Sequence, residues 1–172
     1  MWPWGHLAVG YLLGVGLDRR WKRVLGPGGA SLALVVGTQV PDLVDKPLAW
    51  SLGVLPTGRS LAHSLLVGPV LVGLAVLLAW RYRRHTVWPA FAVGYLAHLA
   101  GDALYPALRG EFASLGFLLW PVVPPIEYET PQTFAAHFAQ LAASPPVLFE
   151  TGLFALAVLV ALRRFRSRAA FV

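Results

Sequence analysis

Cysteine is absent from the 172-residue chain. Its absence excludes a disulfide framework, a thiolate metal site and a cysteine nucleophile together. Charge is scarce too: 13% of residues are Asp, Glu, Lys or Arg, where soluble domains carry roughly 25%. With 57% hydrophobic residues and a mean hydropathy of +0.63, the chain lacks the polar surface of a water-facing monomer. The first segment also lacks a basic leader and a small-residue cleavage site, so it reads as a retained span rather than a signal peptide. No internal repeat or low-complexity stretch is present. These absences point to an integral membrane protein.

What is present are apolar runs. Residues 1 to 17, 24 to 41, 60 to 80, 86 to 108 and 145 to 162 are free of charge apart from Asp102 and Glu150, and a bilayer crossing takes about 20 such residues. The expectation is an all-α polytopic transmembrane bundle, a single domain over residues 1 to 172 with about five spans. Residues 46 to 59 and 110 to 146 are punctuated by proline and read as outer loops or interfacial helices. Within the second, Thr133 to Ala143 looks like a short amphipathic helix with Phe134 and Phe138 one turn apart.

The net charge of +6 has a topological use. Arg19, Arg20, Lys22 and Arg23, then Arg81, Arg83 and Arg84, then Arg163, Arg164, Arg166 and Arg168 make up eleven of the fourteen basic residues. Five crossings put all three clusters on one side. The positive-inside rule then makes that side cytoplasmic, with the N-terminus outside and the C-terminus inside a multi-pass plasma-membrane protein. Short loops at span ends are where orientation signals belong, so no nucleic-acid partner is expected; membrane lipid is. Of eight acidic residues, Asp18 alone falls on the cytoplasmic side.

Ionisable residues within apolar spans are costly and mark candidate sites. His98 and Asp102 stand at i, i+4 on one helix face, where both can reach one metal. In the five-span topology His6, Asp42, Asp45 and His63 come to the same outer leaflet. That nitrogen and oxygen donor set suits Zn²⁺ or another divalent transition metal, Mn²⁺ included, as one or two ions. Asp45 or a nearby Glu is the candidate proton acceptor, and Arg59 or Lys46 the group that orients an anionic substrate. His137, Glu127, Glu129 and Glu150 rank second, with His137 read as a surface residue and His85 as a solvated loop residue. Two other classes remain open: a non-catalytic helical protein with a structural metal site or partner role, and a haem subunit with His63 and His98 as axial ligands.

Gly5-His6-Leu7, Pro41-Asp42, Arg59-Ser60-Leu61-Ala62-His63-Ser64-Leu65 and His98-Leu99-Ala100-Gly101-Asp102 occur in that order. From His6 to about Tyr105 the chain resembles the YdjM-like family of membrane-bound metal-dependent hydrolases, which looks like a membrane relative of zinc-dependent phospholipases C. The resemblance implies hydrolysis of a phosphoester, of a lipid or lipid-linked substrate. It also implies His6, Asp42, His63, His98 and Asp102 as metal ligands, with Asp102 a bridge between ions. The chain departs from the family pattern in placing its next acidic residue, Asp45, three positions after Asp42, and Ala62 where the residue before the motif His is often Thr.

Overall fold

The computed structural model describes residues 1–21, 29–85, 87–126, 132–142 and 144–169. Among them the protein is all-helical, with no strand: α1 (Pro3–Trp21), α2 (Ala30–Trp50), α3 (Gly68–Arg81), α4 (Val87–Leu108), a 3₁₀ helix (Phe112–Leu119), α5 (Phe134–Ala139) and α6 (Pro145–Ala169). The expected Glu127 and Glu129 candidates, and Lys22 and Arg23 of the first basic cluster, lie outside the described residues.

Prolines open the helices where a missing donor costs nothing: Pro3 begins α1, Pro69 sits in the first turn of α3, and Pro145 begins α6. α4 is closed off by Gly110, two residues past Leu108, whose φ of 72° suits glycine, while the Glu111 N–H bonds back to the Pro106 carbonyl at 2.9 Å and satisfies an otherwise orphaned acceptor.

Three boundaries differ from expectation, the short helix expected over Thr133 to Ala143 covering only Phe134–Ala139. α2 does not stop near residue 41 but runs through Pro41 and Pro47 to Trp50. Each proline withholds a backbone donor, yet the packing of α2 on α4 keeps the helix continuous, so Asp42 and Asp45 stand on a helix. Conversely, residues 60 to 80 are not one helix. Residues 51–67 fold as turns that bury Ser60, His63 and Ser64 completely, and only Gly68–Arg81 is helical.

By length and composition, one helix among the described residues is long and apolar enough to cross a membrane, Pro145–Arg166 of α6. The expected five spans are not each matched by such a helix. α3 is too short, and the ionisable residues of α1, α2 and α4 lower the hydropathy of helices otherwise long enough.

α4 is the central element, packed against α1, α2, α3 and the 3₁₀ helix, while α6 packs on α1. Small residues make the α2–α4 approach possible: a Cβ on Gly37 would collide with the Phe91 carbonyl, and one on Gly94 with the Leu34 carbonyl. Gly10 on α1 likewise makes room for the Thr38 side chain. Since Gly94 faces rigid backbone, Gly94→Ala is expected to cost about 1–3 kcal/mol. It should lower the thermal unfolding midpoint in detergent, whereas Gly16→Ala, within α1 and with nothing near its Cβ, should not lower it, since alanine favours a helix interior over glycine.

Because α2 and α4 run parallel, with Gly37 against Phe91 and Thr38 against His98, and α1 runs antiparallel to both, the start of α1, the end of α2 and the second half of α4 meet at one end of the bundle. The turns at 51–67 and the start of α6 join them there. At the opposite end Arg164 of α6 pairs with Asp18 of α1 at 2.6 Å.

A buried cluster of histidines and aspartates

Asp42, His63, His98 and Asp102 each direct one donor atom into a common space, all within 4.8 Å of one another. The Nε2 atoms of His63 and His98 are 3.1 Å apart. Asp42 Oδ1 lies 3.5 Å from the first and 3.8 Å from the second, and Asp102 Oδ2 lies 3.5 Å and 3.9 Å from them. A tetrahedral ion with bonds of about 2.0–2.1 Å has donor-to-donor edges of about 3.3–3.4 Å, and the separations here are close to those edges, as in a group that could hold a metal ion.

The outer hydrogen bonds set the imidazole tautomers. His98 Nδ1 donates to the Thr38 carbonyl at 2.7 Å, and His63 Nδ1 donates to Asp45 Oδ2 at 2.8 Å. With the protons on Nδ1, both neutral rings turn Nε2 lone pairs toward each other and toward two carboxylate oxygens. That arrangement is satisfied either by a proton shared between the two nitrogens or by a metal ion among the four atoms, and a histidine held through its other nitrogen is how proteins present imidazole to a metal.

Asp45 stands apart from these four donors. Its side chain is completely buried, and besides His63 it accepts from the backbone N–H groups of Ser60, Ala62 and His63 at 2.8, 2.8 and 3.2 Å. These bonds fold the 60–63 turn and orient His63. Tyr95 braces the same turn from α4, its hydroxyl donating to the Ala62 and Ser64 carbonyls at 2.9 and 3.2 Å.

Asp102 has a second face. Its Oδ1 is 3.2 Å from Nε2 of His6 and 2.6 Å from the Met1 amine. Arg59 reaches both oxygens, Nε to Oδ2 at 2.8 Å and Nη2 to Oδ1 at 3.2 Å. His6 stacks on His98 with ring centroids 3.7 Å apart, and neither of its buried nitrogens has a hydrogen-bond partner. Gly101 leaves space for that stack, since a Cβ there would press on Met1 Sδ and His6 Nδ1. Lys46 binds Asp42 Oδ2 at 2.7 Å, one helical turn away.

The candidate site residues on the described chain, His6, Asp42, Asp45, Arg59, His63, His98 and Asp102, come to this end. His6 sits one layer outside the four-donor group, against Asp102 and His98, and Arg59 lies at the rim with its guanidinium on Asp102. His137 is not a solvated surface residue: its ring packs between Trp2 and Trp50, with centroids 4.6 and 5.4 Å away. Burial pushes its imidazole pKa below the ordinary value. His85 is exposed beside Trp80, as expected.

Glu150 is buried, accepting from the Trp2 N–H at 2.8 Å and the Tyr105 hydroxyl at 3.0 Å. Sequence reasoning missed Thr38, whose backbone does the work and leaves no residue signature, and Tyr105, whose i+3 spacing from Asp102 does place it on the same face. The haem alternative fails on distance: an iron about 2 Å from each axial nitrogen would hold them about 4 Å apart with a macrocycle between, whereas these nitrogens are 3.1 Å apart.

The family model described as YdjM inner membrane protein matches residues 1–170. Neither the curated proteins nor the solved structures contain a match.

Proposed function

Because the chain belongs to the YdjM inner membrane protein family, we propose that it is a membrane-bound, metal-dependent hydrolase of phosphoesters. Its ion is held by Asp42, His63, His98 and Asp102, with Zn²⁺ favoured over Mn²⁺ by the tetrahedral spacing. The observation that carries this reading is the pair of imidazole nitrogens 3.1 Å apart with both protons committed elsewhere. A divalent ion bound there supplies a Lewis acid for a phosphoryl oxygen and lowers the pKa of water towards about 7.

The chain's own residues supply the rest. Arg59, with its side chain 34% exposed at the rim, orients the phosphate by charge-assisted hydrogen bonds. Lys46 holds Asp42 in place. Asp102 faces the four-donor group with one oxygen and, with the other, meets His6, the Met1 amine and Arg59, which hold the carboxylate in place.

The proposed topology has five crossings, α1, α2, the 51–67 turns with α3, α4 and α6, with the cluster at the extracytoplasmic end and the arginine-rich ends in the cytoplasm. A lipid or lipid-linked phosphoester in the outer leaflet then meets the site at headgroup depth.

Zinc- or manganese-loaded protein in detergent is expected to cleave members of a phosphoester lipid panel. Activity should be abolished by a chelator, restored by added metal and reduced about 10²-fold or more by Arg59→Ala, as for loss of a preorganised charge donor. Cleavage that survives both chelation and His63→Ala would refute the proposal.

A further inference from the structure

A cavity of about 340 Å³ opens beside the cluster, walled by the starts of α1 and α6, the last turns of α4 and the residues before α6. It meets the cluster at Asp102 and Arg59. At about 30 Å³ per water, it fits a compact polar group of about ten non-hydrogen atoms and not a pair of acyl chains.

Glu150 is the unusual part of its wall. The side chain is 1% exposed, and among the described residues no cation lies within ion-pair distance. Each carboxylate oxygen accepts one hydrogen bond, from the Trp2 N–H and from the Tyr105 hydroxyl, so each keeps a second lone pair for another donor. The Gln140 amide and the Ser144 hydroxyl also line the space, offering donors and acceptors together.

The charges around the cavity select the ligand. An ammonium headgroup would face the guanidinium groups of Arg59 and Arg109, and an anionic one would face Glu150 and Asp102. A neutral group bearing several hydroxyls matches, because each hydroxyl both donates to Glu150 and accepts from its neighbours.

We infer that this cavity receives the uncharged, hydroxyl-rich arm of a phosphoester, a glycosyl or polyol phosphate, with its phosphate directed to Arg59 and the cluster. The inference rests on the phosphoester reading of the cluster and adds the chemical class of the substrate.

The test is isothermal titration of zinc-loaded, detergent-purified protein with glucose 1-phosphate, inositol 1-phosphate, phosphocholine and inorganic phosphate. The two polyol phosphates should bind at least about tenfold more tightly than phosphocholine, as two or more added hydrogen bonds would give. Gln140→Ala and Glu150→Gln should each weaken the polyol phosphates by about three- to tenfold and leave inorganic phosphate unchanged. Gln140 is exposed, so its variant keeps the comparison sound should the loss of Glu150 loosen the ties to Trp2 and Tyr105.

Equal or tighter binding of phosphocholine, or polyol-phosphate binding indifferent to Gln140→Ala, would overturn the inference and leave the hydrolase reading standing. Failure of the zinc-loaded protein to bind inorganic phosphate would remove the phosphoester reading and the inference with it.

Discussion

Alanine in place of His98 is expected to strip the protein of its metal. Elemental analysis of detergent-purified wild type should return zinc or manganese at about one or two ions per chain, the number the donor set accommodates, and the His98→Ala protein should return almost none. The reason is geometric. His98 contributes one of four donor atoms, and its removal leaves His63 and two carboxylates, a set open on one side. Loss of an outer hydrogen bond to a metal-bound histidine typically costs 10–100-fold in affinity, so loss of the ligand itself should cost well over about 100-fold. His85→Ala, an exposed imidazole near Trp80 at the other end of the bundle, controls for adventitious binding to histidine and should leave the metal content unchanged. Metal-free wild type would mean that a proton, and not an ion, satisfies the two facing nitrogens. The cluster would then be a hydrogen-bonded packing device in a non-catalytic protein.

Changing Asp45 to asparagine should damage both stability and metal binding. Asp45 receives four hydrogen bonds from Ser60, Ala62 and His63. An amide NH₂ in place of one oxygen would point a donor at donors, and leaving buried groups of this kind unpaired costs about 1–3 kcal/mol each. The expected outcome is a loss of about 3 kcal/mol or more, read as a lowered unfolding midpoint in detergent. A drop of about 10–100-fold in metal affinity should accompany it as His63 loses its orientation. A general base would behave otherwise. If Asp45 took a proton from the attacking water, Asp45→Asn would retain stability and metal and lose turnover alone, and that result would return Asp45 to the role its sequence position suggested.

Much of the site was legible in the sequence because bilayers make ionisable residues expensive. His98 and Asp102 stand out in a run of apolar residues, and their four-residue spacing already puts them on one face of α4. The same argument picked out His6, Asp42 and His63, all at the cluster or against it in the folded chain. Glu150 was visible for the same reason, as the lone charge in the last apolar run, though its partners Trp2 and Tyr105 were not. Roles were harder to read than positions. Asp45 and Asp42 look alike along the chain, three residues apart, but on a continuous α2 they diverge: Asp42 turns to the shared space and Asp45 to the backbone of the 60–63 turn.

Helix boundaries were misread where proline and apolar content gave the wrong local signal. Pro41 and Pro47 suggested a break, yet the glycine-mediated approach of α2 and α4 outweighs two missing hydrogen bonds. Residues 60 to 67 looked like the start of a membrane helix. The N–H groups of Ser60, Ala62 and His63 instead bond to Asp45 and that of Leu65 to the Leu118 carbonyl, and hydrophobicity alone says nothing of that preference.

The sequence by itself determined the class of the molecule, an all-helical membrane protein with its polar residues confined to few positions, because composition and charge spacing follow from the solvent that surrounds each segment. Only the tertiary structure decided which of those residues share one space and which merely brace it. That distinction depends on the direction of individual nitrogen and oxygen atoms, set by contacts between residues as distant in sequence as Thr38 and His98, or Trp2 and Glu150.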